Sequence, residues 1–210
     1  AECIEGEGRF IDDIVNGIWA ICEESYWGVS PHIGAQKAGA GLPDVAEPTV
    51  DLFAAETSAL LAWTHYLIGP ALDAVSPLIR RRIELEVQRR VLTPVHERDD
   101  FWWMGLVETR RRSDGKDSRR RVNNWNPWIC SNWLVTTLLL EKDSERRIES
   151  VAKMLRCVDK FIDPHPRDGG CDEGPGYWGR AGASLFECLD WLGMATDGEI
   201  DVFSDPLIGE

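Results

Sequence analysis

The stretch PTVDLFAAETSALLAWTHYLIG, residues 48–69, decides the fold class. Pro48 and Thr49 open a helix with Asp51 in its first turn, and Phe53, Leu60, Trp63 and Leu67 recur at helical spacing until Gly69. The segment is apolar on nearly every side, as a helix inside a core would be. Glu56 breaks the pattern. A carboxylate in such surroundings must be paired or functional. His65 or an arginine of the next helix is the candidate partner, and substrate binding is the alternative role.

Working outward, the same periodicity recurs. Ile11, Ile14, Val15, Ile18 and Cys22 follow three- and four-residue steps. Ser76-Pro77 is a cap followed by proline at the first helical position, and opens LIRRRIELEVQRRVL. Asn126-Pro127 starts a helix ending near Leu140. Another runs from Ser144 to Phe161 and is stopped by Pro164, and the last spans Tyr177 to Ala195. Trp19, Trp63 and Trp191 sit in these apolar patterns and read as core. No segment reads as a convincing strand. Long glycine- and proline-rich connections at 25–48, 98–123 and 163–176 separate the helices, and long ordered loops are usually functional. The expectation is an all-α fold, with the outline of an (α/α) toroid in which helical hairpins circle a cleft.

The 210 residues suffice for one domain with a substantial core. No apolar run approaches the roughly 20 residues of a membrane helix. A net charge of −13 argues against a general nucleic-acid binder. The charge is uneven, since RRRSDGKDSRRR, from Arg110 to Arg121, carries seven basic and two acidic residues. It reads as a solvated loop or as a collar that attracts a polyanion. None of the six cysteines has CxxC spacing, so neither a zinc ribbon nor a redox motif is expected, and no metal or cofactor is called for. Cys130, Cys157 and Cys188 read as buried thiols. The chain begins at Ala1 without a signal-peptide pattern, and DVFSDPLIGE reads as the entry to another element; the expectation is a fragment of a longer protein.

The chemistry concentrates in the connections. Ten tryptophans are many, and Trp27, Trp125, Trp128 and Trp178 lie beside polar residues in loop-like segments. Their faces suit the C–H faces of sugar rings. His32 sits in the glycine-rich SPHIGAQKAGAGLPD, close to Glu24, Tyr26 and Trp27, where a cleft role is open to it. VNNWNPW, residues 122–128, holds Asn123, Asn124 and Asn126. Helix capping explains one of the three. Amides can also hold a carboxylate and stabilise the enolate that develops from it. DGGCDEGPGYWGRAG, residues 168–182, places Tyr177 in the first turn of a helix. The positive end of the helix, with Arg180 one turn on, favours negative charge on that phenol.

The order NNWNPW, a helix pair, then DGGCDEGPGYWGRAG resembles the heparinase II/III-like polysaccharide lyases and related alginate lyases. EESYWGVSPHIG, LPD and DLFAAETSALLAW are also similar to that family's helical domain, so the resemblance covers nearly the whole chain. It implies that residues 1–210 are part of one incomplete (α/α) toroid domain followed by a β-sandwich domain that this chain lacks. It implies a carbon–oxygen lyase cleaving an acidic, uronic-acid-containing polysaccharide by β-elimination, with no nucleic-acid or membrane partner, in a periplasmic or secreted location. Carried onto this sequence, Asn124 or its neighbour Asn123 neutralises the uronate carboxylate, and Tyr177 is the acid and can also be the base. His32, Trp27, Glu56, Trp125, Trp128, Glu173, Trp178 and Arg180 are the expected substrate-binding residues. Some relatives carry histidine after the asparagine pair, where this chain has Trp125, and a second catalytic histidine often comes from the β domain. Activity is therefore expected of the longer protein. Two other readings are a glycoside hydrolase using Asp168, Asp172 and Glu173 as acid and base, and a non-catalytic carbohydrate-binding relative.

Overall fold

The computed structural model describes residues 1–107, 122–205 and 208. The arginine-rich stretch Arg110 to Arg121 lies outside the described residues. The fold is all-α, with no strand among the described residues. The helices are α1 (Glu2–Glu5), α2 (Ile11–Glu23), α3 (Leu52–Leu67), α4 (Gly69–Val75), α5 (Pro77–Val87), α6 (Thr93–Glu97), α7 (Trp125–Leu140), α8 (Ser144–Ile162) and α9 (Pro175–Ala195). Single 3-10 turns at Ser30–Ala35 and Trp102–Met104 punctuate the connections.

Helix α7 is the hub. It packs on α3, α8 and α9 and is buried on almost all sides, which its uniformly apolar sequence predicts. Trp133, Ile129 and Leu134 from α7 meet Trp103, Met104, Leu61 and Met154 in one continuous core. Two polar pins fix the 3-10 turn Trp102–Met104 against its neighbours. Trp103 Nε1 donates to the Val50 carbonyl at 2.8 Å. Asn126 Nδ2 donates to the carbonyls of Trp103 at 2.9 Å and Cys157 at 2.7 Å, tying the first turn of α7 to the 3-10 turn and to α8. Asn126 is therefore a buried structural amide. The thiols of Cys130, Cys157 and Cys188 are buried in this core, as expected.

Four details differ from the sequence reading. Asp51 precedes α3 as its cap rather than lying in its first turn: its Oδ1 accepts from Ala54 N at 2.8 Å. Helix α3 stops at Leu67, close to the expected end at Gly69, but Gly69 and Pro70 then open a further helix, α4, because proline is tolerated in a first turn. Trp19 is 43 % exposed and lies under the Arg82 guanidinium at 5.5 Å, so it covers a surface instead of filling the core. Trp63 and Trp191 are only half-buried, their ring centroids 5.1 Å apart and their planes tilted by 53°. Ser76 caps α5 as predicted, accepting from Leu78 N at 3.2 Å. A π-turn at Gln88–Leu92 joins α5 to α6 just before Pro94, whose ring nitrogen has no hydrogen to give the preceding turn.

Candidate functional site

The N-terminal ends of α3, α7 and α9 supply most of the polar chemistry. At α3, Asp51 is fully buried. Its Oδ2 accepts from Val29 N at 3.3 Å and contacts His32 Nδ1 at 2.7 Å. The 3-10 turn Ser30–Ala35 thus brings a loop histidine onto the cap of a helix. Gly28 makes room for this: a Cβ there would sit 2.5 Å from the Tyr26 hydroxyl and 2.8 Å from Asp51 Oδ2. The Tyr26 hydroxyl is buried without a hydrogen-bond partner among the described residues, and burial, then the nearby Asp51 charge, push its pKa up to about 12. The imidazole of His32 lies 4.3 Å from the Trp125 ring and 6.0 Å from Phe53, centroid to centroid.

One turn along α3 and α7, Glu56 and Trp128 meet. Trp128 Nε1 donates to Glu56 Oε1 at 2.8 Å. Arg180 of α9 reaches the same oxygen at 3.3 Å and lies 4.3 Å over the Trp128 ring. The partner of Glu56 is thus this pair, and not His65, which contacts Glu84 and Arg80. Asn123 joins the other ends: its Oδ1 accepts from Trp125 N at 3.1 Å, and its Nδ2 donates to Glu173 Oε1 at 3.1 Å. That bond spans 50 positions and ties the asparagine segment to the loop that leads into α9. Gly174, with φ 83°, turns this loop into Pro175 and the helix.

The asparagine segment and the loop leading into α9 therefore meet, and the contacts form two groups, His32–Trp125–Asn123–Glu173 and Glu56–Trp128–Arg180. Other expected residues are placed differently. Asn124, expected to face a substrate carboxylate, is only 1 % exposed, and its Oδ1 has no partner among the described residues. Asn123 is the amide within reach of a ligand. Trp27 is 6 % exposed, donates through Nε1 to the Ile21 carbonyl at 2.9 Å and sits under the Arg90 guanidinium at 4.8 Å, so its face is unavailable to a sugar. Trp128 is 8 % exposed beneath Arg180 and holds a carboxylate instead of a ring. Tyr177 and Trp178 are 48 % and 62 % exposed, and Trp178 Nε1 is anchored to the Gly169 carbonyl at 2.9 Å. Asp168 folds its own loop by accepting from Gly170 N at 3.0 Å, and Asp172 is exposed. Arg180 spends its charge on Glu56.

The residue that sequence reasoning missed is Asp51. Aspartate just before an apolar run is a cap signal, but nothing along the chain announces the histidine 19 positions earlier. No group of three or more metal-ligating side chains gathers among the described residues. No family model matches the chain, and no curated protein is significantly similar to it.

Proposed function

We propose that the chain is the toroid part of a heparinase II/III-like polysaccharide lyase and acts by β-elimination on a uronic-acid polysaccharide. The observation that carries this reading is the hydrogen bond from Asn123 to Glu173, which brings an uncharged amide and the start of the Tyr177 helix to the same place. An amide already donating to a carboxylate is equipped to donate to a uronate carboxylate once Glu173 moves aside. Spreading of that negative charge acidifies the C5 proton. When it leaves, its electron pair forms the C4=C5 bond, the C4–O4 bond breaks, and the exposed phenol of Tyr177 gives its proton to O4. Trp125 and the open face of Trp178 flank the region as stacking surfaces, and the Glu56–Trp128–Arg180 group holds α3, α7 and α9 in register around it.

The experiment uses the intact protein with a panel of polyuronides. A lyase releases an unsaturated product that absorbs in the near ultraviolet, whereas a hydrolase using Asp168, Asp172 and Glu173 does not. Tyr177→Phe is expected to abolish turnover and leave oligosaccharide binding intact. A wild-type protein that binds uronides and never turns them over would establish a binding module in place of the enzyme.

A further inference from the structure

The amide and the phenol leave one role of the elimination open, the acceptor of the C5 proton. We infer that His32 fills it, an assignment that rests on the lyase reading. The Asp51 carboxylate can only accept hydrogen bonds, so the hydrogen in its 2.7 Å contact with His32 belongs to Nδ1. The lone pair of the neutral ring is then on Nε2. That nitrogen has no hydrogen bond or ion pair among the described residues, and the side chain is 20 % exposed. Asp51 itself cannot turn away: Ala54 N holds one of its oxygens and Val29 N the other. Trp125 and Phe53 flank the ring at 4.3 and 6.0 Å and fix its plane. Trp125 N also binds Asn123 Oδ1, so the imidazole lies against the same turn that presents the amide.

None of the other three histidines has a buried carboxylate behind one nitrogen among the described residues. His65 Nε2 is shared by Glu84 and Arg80. His96 faces Ser150 and Glu149. His165 packs on Phe161 at 4.8 Å. Among the described residues, only His32 combines a buried carboxylate behind one nitrogen with an open second nitrogen. In the reaction, Nε2 takes the C5 proton as the C4=C5 bond forms, and Asp51 stabilises the imidazolium. Tyr177 loses its proton to O4. The ring then gives its proton to water and Tyr177 takes one back, so no further reactant is needed.

The test measures unsaturated product from the intact protein and a polyuronide it cleaves. His32→Ala should lower the rate by roughly 100-fold or more, keep oligosaccharide binding, and recover part of the rate when imidazole is added. Asp51→Asn keeps an oxygen for the α3 cap but offers an amide to Nδ1; it should lower the rate while helix content stays unchanged. His32→Gln, compared by thermal melting, shows whether any loss is a loss of folding. A His32→Ala protein with the wild-type rate would overturn the assignment and leave the lyase standing. So would one that is inactive, unresponsive to imidazole and unable to bind oligosaccharide, which would make His32 a binding residue. A wild-type protein that yields unsaturated product from no polyuronide would overturn both.

Discussion

Two buried carboxylates, Glu86 and Asp51, each organise a polar cluster in this molecule, and the clusters are built differently. Glu86 of α5 is 3 % exposed and is gripped by Arg82, Arg89 and Arg90 at 3.0, 2.8 and 2.6 Å. Arg82 and Arg90 each also donate to the Cys22 carbonyl, at 3.0 and 3.3 Å, which locks α2 to α5. Its donors are spent on the fold. The cluster at the ends of α3, α7 and α9 has buried anchors in Asp51 and Asn126, yet it leaves a ring nitrogen, a phenol and an indole face open. Burial and ion pairing alone do not mark a site. The difference lies in which atoms remain unspent after the fold is satisfied.

The sharpest way to break this contrast is to remove each centre in turn. Glu86→Ala leaves Arg90 buried without its anion, and should destabilise the protein by about 3 kcal/mol in denaturant unfolding, while oligosaccharide binding per folded molecule stays the same. A smaller loss, about 2 kcal/mol, is expected of Asn126→Ala, because two buried carbonyls lose their donor. Asp51→Ala should cost about 1 kcal/mol through the lost cap and also free His32, so it should perturb the imidazole signals in NMR far more than its effect on stability suggests. Glu56→Gln should move stability by no more than about 0.5 kcal/mol, since the Arg180 pair is partly exposed. A shift larger than that of Asn126→Ala would place Glu56 among the structural groups and erase the contrast.

Acid sharpens it further. Burial would raise the Glu86 carboxyl, but hydrogen bonds from Arg90 and Arg89 outweigh burial and hold it below its ordinary value of 4.5. A lowered acid contributes stability that is present above its unfolded pKa and lost as pH falls through the folded one. Burial lowers the His65 pKa from 6.5, so its charging on acidification opposes folding as well. The melting temperature should therefore begin to fall below pH 6.5 and fall further below 4.5. Glu86→Gln should flatten the lower part of that curve and leave the upper part.

Much of the architecture was readable along the chain. Helical spacing located α2, α3, α5, α7, α8 and α9, because an apolar stripe or an all-apolar rod leaves a period in the sequence. The end of α3 near Gly69 was legible, but α4, which starts at Gly69, was not, since residues that stop one helix can open another. Within the site, Asn123, Tyr177 and Arg180 lie at or near helix starts, which the sequence marks, but the partners of Asn123 and Arg180, Glu173 and Glu56, come from 50 and 124 positions away. Trp27 and Asn124 were cast as exposed because a loop residue carries no periodic mark of burial. The covering groups, Arg90 over Trp27 for instance, come from 63 positions away. Asp51 and His32 form the tightest contact of the site by the same long-range logic, and no short motif encodes it.

The bond between Asn123 and Glu173 has one more consequence. On the lyase reading proposed above, a ligand arriving at this amide trades places with a group the protein already keeps there. For an acidic sugar the trade is like for like, an oxyanion in and an oxyanion out. A neutral glycan brings nothing comparable and would leave the amide better off with its own side chain. Discrimination between the two then comes from an incumbent that only an equal can replace, and Glu173→Gln is the change that would weaken the incumbent.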